Sequence, residues 1–122
     1  MKPETQEWID TAEIDLSAAQ ALLEREILPP VVFHSHLAVE KMLKAHWVEQ
    51  HEEGFPPRTH DLIELIGQLD FDLPGWHEYL VDLTRQAVAS RYAGKDDYSR
   101  QEAVEYLGKA RELCGLLRQK LR

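Results

Sequence analysis

Val31-Val32-Phe33-His34-Ser35-His36-Leu37-Ala38-Val39-Glu40-Lys41-Met42-Leu43-Lys44-Ala45-His46-Trp47-Val48-Glu49 decides the fold of this chain. Val32, Val39 and Leu43 make one apolar row at helical spacing, and Val31, Ala38, Met42 and Ala45 make another. A helix apolar over so much of its circumference is either central and buried on several sides, or also meets a second subunit. Before it, Ile9, Ala12, Leu16, Ala19 and Leu23 recur at steps of three and four, which predicts a helix over 4–26. Ile27-Leu28-Pro29-Pro30 is expected to end that helix, because proline disfavours helical geometry in the residue before it. After the central helix, Gly54-Phe55-Pro56-Pro57 marks a loop, and Thr59 is a candidate N-cap for a short helix through Leu62, Ile63, Leu65 and Ile66. Residues 70–75 form a second loop. Trp76, Leu80, Leu83 and Ala87 then share one face of a fourth helix, and Arg91 continues that inward stripe. Ser99 and Glu102 form a capping box that opens a fifth helix, carried by Ala103, Leu107, Ala110, Cys114, Leu117 and Leu121. No alternating β-branched run competes with this pattern. The expected fold is all-α: a compact antiparallel up-and-down bundle of four main helices plus one short helix, in a single domain over 1–122.

Composition narrows the function classes. No apolar run approaches the roughly 20 residues a membrane-spanning helix needs. The N-terminal segment is too polar for a secretory signal, and the single cysteine, Cys114, falls at a core spacing, so a cytoplasmic protein is expected. A net charge of −8 argues against sequence-independent binding along a long nucleic acid, since that affinity comes mainly from neutralising phosphates. It leaves room for one local basic site. Arg85, Arg91, Lys95 and Arg100 cluster near the junction of the fourth and fifth helices. Arg118, Lys120 and Arg122 at the C-terminus are accounted for by the helix dipole.

That junction, Ser90-Arg91-Tyr92-Ala93-Gly94-Lys95-Asp96-Asp97-Tyr98-Ser99, holds the candidate chemistry. An arginine at the end of an apolar stripe needs a partner. Arg91 either binds helix carbonyls or a carboxylate such as Asp15 or Glu40, or offers its planar fork of donors to a phosphate. Lys95 and Arg100 raise the local potential, and the start of the fifth helix adds free backbone N–H groups. Tyr98 is expected in an exposed turn. The six histidines do not assemble a metal site: His34 and His36 diverge on a helix, and no H-E-x-x-H or cysteine pair is present. These two histidines are read as polar edge or interface residues, and His60-Asp61 as capping and polar packing. Neither a nucleophile elbow nor a phosphate-binding Gly-rich loop occurs, and neither metal nor cofactor is expected.

In order and spacing, these pieces resemble a HEPN domain of the small prokaryotic kind encoded beside a minimal nucleotidyltransferase. Trp8, Ala12, Asp15-Leu16, Ala19 and Leu22-Leu23 are similar to the family's first helix, the stretch from Phe33 to Ala45 to its second, Thr59-His60-Asp61-Leu62 to the start of its third, and Ser90-Arg91-Tyr92 to its Arg-Tyr. The resemblance implies a homodimer that brings two arginine segments together. It also implies metal-independent ribonuclease activity in members carrying Arg-x4–6-His, extended in toxins to Arg-x4-His-x-Tyr. On this chain Arg91 matches the arginine and Tyr98 the tyrosine, while Asp96 stands in the histidine position. In related toxin–antitoxin pairs the nucleotidyltransferase partner silences the toxin by modifying that tyrosine.

The departure at Asp96 matters. Histidine, with a pKa near 6.5, accepts and returns a proton at neutral pH, whereas aspartate, near 3.9, is ionised there and repels phosphate. The expected function is therefore nucleotide or RNA binding through Arg91, Lys95 and Arg100, beside a nucleotidyltransferase that modifies Tyr98. Arg91 and Asp96 are the candidate catalytic pair of a degenerate nuclease motif. The alternatives are an active metal-independent ribonuclease toxin, using Asp96 or another polar residue such as His34 or His60, and a non-catalytic helical interaction module.

Overall fold

A computed structural model of the chain describes residues 1–91 and 98–121. Its elements are α1 (Pro3–Glu24), α2 (Leu28–Gln50), α3 (Leu62–Ile66), α4 (His77–Ala89) and α5 (Arg100–Lys120), with no strand among the described residues. The all-α expectation holds.

α2 is the centre of the bundle. It packs most extensively on α1, then on α5, and also meets α4 and α3. Val31, Val32, Ala38, Val39, Met42, Leu43 and Ala45 are all buried within the one chain. Both apolar rows are thus covered internally, and the width of the α2 stripe supplies no argument for a second subunit. Each fully buried aliphatic side chain contributes roughly 1.5–3 kcal/mol, so α2 supplies much of the driving force for closure.

The local boundaries differ from expectation for identifiable reasons. Pro29 and Pro30 lie in the first turn of α2, where a missing N–H costs nothing and a fixed φ helps, so they start α2 instead of ending α1. α1 closes through its own backbone: Glu26 takes a left-handed φ of 60°, Ile27 N donates to Leu22 O at 3.0 Å and Glu26 N to Leu23 O at 3.0 Å. This is a Schellman ending with glutamate where glycine is commonest. Asp61, not Thr59, caps α3, accepting from the backbone N–H groups of Ile63 and Glu64. Thr59 instead accepts from Asp61 N and donates to Glu64. The capping box at α5 forms as expected, with Glu102 N donating to Ser99 Oγ and Ser99 N to Glu102 Oε1.

α4 is the least embedded of the long helices. Leu80, Leu83 and Ala87 are its buried residues. It is tied to α5 by polar bridges, Tyr79 donating to Tyr106 O at 2.9 Å and Tyr106 to Asp82 Oδ2 at 2.6 Å. This course brings the end of α4 against the start of α2, and the start of α5 against the turn between α1 and α2.

Candidate functional site

α4 ends at Ala89 with Ser90 as its C-cap, so Arg91 lies past the helix and does not extend the inward stripe. It is exposed, with its guanidinium carbon 5.3 Å from the centre of the Phe33 ring on the first turns of α2. Such a cation–π contact is worth about 0.5–1 kcal/mol at an exposed site and orients the guanidinium without consuming its donors. Among the described residues Arg91 has no ion-pair partner. The two carboxylates considered for it are engaged elsewhere: Asp15 with His34 and Lys41, Glu40 with Lys44 and His60.

The other residues singled out from the sequence fare differently. Arg100 is exposed and reaches Glu26 Oε1 from its Nε at 3.4 Å, a pair that solvent screens. Lys95 and Asp96 lie outside the described residues. The expectation of an exposed Tyr98 is corrected: its side chain is only 6 % exposed, and its hydroxyl donates to Gln86 Oε1 at 2.6 Å. The ring packs into the core beside Tyr106, because residue 98 returns the chain to the bundle just before the α5 cap.

Two polar clusters line α2, and helical spacing separates them. His34 and Lys41 face α1, where the buried Asp15 carboxylate accepts from His34 Nδ1 at 2.8 Å and from Lys41 Nζ at 2.6 Å. Phe33, His36, Glu40 and Lys44 fall on the neighbouring face. Glu40, 4 % exposed, accepts from Lys44 Nζ at 2.9 Å and from His60 Nδ1 at 2.8 Å. His36 is buried, not an edge residue, and its Nε2–H donates to the His60 backbone carbonyl at 2.7 Å. That bond leaves His36 Nδ1 a bare lone pair. It has no hydrogen-bond partner and faces Glu40 Oε1 at 3.8 Å. His60 is likewise no cap: its ring belongs to Glu40.

The clustering is legible only in part. Glu40 and Lys44 are four apart, a spacing that suggests a helical ion pair, but nothing local ties either to His60.

Burial holds His36 below the usual histidine range, against the His60 carbonyl bond and Glu40 that favour its charge; the nearby His60 and Arg91 add to the lowering. Burial also lowers His46, whose Nε2–H donates to Leu117 O at 2.7 Å. Both rings therefore stay neutral in the folded chain while the unfolded chain takes up protons near pH 6.5. Their contribution to stability is complete above about pH 6.5 and declines as pH falls towards the lowered folded values. Thermal melting between pH 8 and pH 5 is expected to show this decline, and His46→Asn, which cannot titrate, is expected to shallow it. An unchanged slope in that variant contradicts the assignment.

A family model for the HEPN domain matches residues 5–120, nearly the whole chain. The chain belongs to the HEPN domain family. Its fold is also similar to the crystal structure of TT1696 from Thermus thermophilus, with a TM-score of 0.84 and 21% identity, covering 98% of this chain and 99% of that one. At that identity the likeness establishes the fold alone. No protein of curated function matches the sequence. No helix among the described residues is long and apolar enough to cross a membrane.

Proposed function

We propose that this HEPN protein binds RNA, or a nucleotide, through phosphate contacts at the Arg91 end of the bundle. The observation that carries this reading is an exposed arginine, resting on an aromatic ring and matched to no carboxylate among the described residues. A guanidinium so placed offers several donors to a phosphate, and Phe33 beside it offers a partly exposed face to a base. Arg100, exposed and only loosely paired with Glu26, adds a second cation at the same end. Lys95 joins them from the sequence, as does Asp96 in the motif's histidine position, where it is a poor proton carrier for a nuclease.

The reading extends to assembly. We place the protein as a homodimer working with a minimal nucleotidyltransferase in a toxin–antitoxin-like system. Support for self-association comes from α4, where the exposed Val81 and Val88 are seven apart on one stripe leading to Arg91. Modification of Tyr98 by such a partner requires the ring to leave its place beside Gln86.

Fluorescence anisotropy with a short labelled oligoribonucleotide in excess chelator tests the site, with light scattering on the same samples reading a dimer. Arg91→Ala is expected to weaken binding about tenfold, the loss of one charge-assisted phosphate contact, with melting unchanged as for other surface substitutions. Binding indifferent to Arg91 refutes the proposal.

A further inference from the structure

We infer that the cavity between the start of α1 and the loop after α2 binds a linear polyamine, a methylene chain carrying two or more ammonium groups. The inference is independent of the RNA reading. Val48, on the cavity wall, lies fifteen residues along α2 from Phe33, about 22 Å at the helical rise. The cavity holds about 590 Å³, within the range of small-molecule sites. Trp8, Val48, Phe55 and Pro56 give it apolar walls. Phe55 is 88% exposed, an aromatic ring left uncovered by the described residues.

Charge selects the occupant. Four carboxylates line the same cavity, Glu4 and Glu7 from α1 and Glu52 and Glu53 from the loop. All four are exposed, and none has an ion-pair or hydrogen-bond partner among the described residues. The nearby cations do not neutralise them. Lys41 Nζ is given to Asp15 at 2.6 Å and Lys44 Nζ to Glu40 at 2.9 Å, while Lys2 Nζ donates to the backbone carbonyls of Val48 and His51. An anion is repelled here, and a neutral apolar ligand leaves carboxylates facing it without a partner. A polyamine satisfies both surfaces: its methylenes cover Trp8 and Phe55, and its ammonium groups meet the carboxylates and the ring faces.

The loop that supplies half of the site is held in place before any ligand arrives. The His51 ring stacks on Trp47, centroids 3.8 Å apart and planes 9° from parallel, and its Nδ1–H donates to the Trp47 carbonyl at 2.7 Å. Gly54 turns the chain at a φ of 100°, with Trp47 3.4 Å from where a Cβ would stand. Lys2 ties the end of α2 to the N-terminal segment, and Pro56 is buried. Ordering this loop therefore takes little from the binding free energy.

Titration calorimetry of the full chain with spermidine, without RNA, tests the site. Saturable one-to-one binding is expected, weakening as salt rises. It is expected to change the tryptophan emission in wild type and not in Trp8→Phe. Glu4→Gln with Glu7→Gln, and separately Glu52→Gln with Glu53→Gln, are each expected to weaken binding about fivefold, the scale of two partly exposed ion pairs. Phe55→Ala is expected to weaken it about threefold through the lost ring contact. Melting of each variant shows that the fold is intact. Glu78→Gln with Glu112→Gln, which removes the same charge from exposed positions elsewhere, is expected to bind as wild type does, as is Arg91→Ala. No saturable binding, or equal weakening by the Glu78/Glu112 variant, overturns the inference. Tetralysine peptide is titrated in parallel. If it binds more tightly than spermidine with the same dependence on Phe55, the occupant is a basic protein segment and the polyamine assignment falls.

Discussion

Glu40→Ala is expected to cost about 3–5 kcal/mol of folding stability, because it strands the Lys44 ammonium in the interior. The Lys44 side chain is 9% exposed and Glu40 5%, so neither charge reaches bulk water when its partner is removed. The nearest relief is the Trp8 ring, 5.8 Å from Nζ, which cannot accept a proton-rich ammonium as a carboxylate does. Asp15→Ala serves as the contrast. Its partner Lys41 is 27% exposed, and His34 28%, so both turn outward and recover hydration, and a smaller loss follows. Replacing the pair together, Glu40→Leu with Lys44→Met, is expected to recover most of the loss, since buried ion pairs exchange for apolar groups at little net cost. Urea unfolding of these variants beside wild type measures the ordering. A Glu40→Ala loss no larger than that of Asp15→Ala contradicts the burial argument.

Leu83→Ala should be nearly as severe, about 2–5 kcal/mol from lost apolar burial and the cavity left behind. Leu83 is completely buried, and with Leu80 and Ala87 it makes up the buried face of α4. Since α4 positions Arg91, the substitution is also expected to weaken RNA binding, although Leu83 is far too buried to touch a ligand. Hydrogen exchange should show the amides of α4 opening earlier than those of α2, whose apolar rows are covered by α1, α3, α4 and α5. Val104→Ala, at an exposed position of α5, is expected to stay within about 0.5 kcal/mol of wild type. If Leu83→Ala melts like Val104→Ala, the packing attributed to α4 is wrong.

Arg91 and Tyr98 show where extrapolation from a pattern stops being valid. Counting four residues on from Ala87 places Arg91 inside only if the helix continues, and α4 ends at Ala89. Tyr98, next to a capping serine, has the local look of a turn residue. Its burial comes from Gln86 and Tyr106, twelve residues before it and eight after. Pro29 and Pro30 read equally well as the end of one helix or the start of the next, and the Schellman closure at Glu26 decides in favour of the second. In each case the deciding partner is a hydrogen bond or a packing contact that residue type does not announce.

Helical class, the number of helices, the α5 capping box and the wide apolar surface of α2 were all determined by the sequence alone, because each depends on residues three or four apart. Periodicity and capping are local physics and need no knowledge of neighbours. Tertiary structure alone decided that α2 buries both of its apolar rows inside one chain, that Arg91 rests on Phe33, and that Glu40 meets a histidine 20 residues away in sequence. The physical reason is that a buried charge takes whichever partner the packed helices bring within reach, and that choice is made by the bundle as a whole.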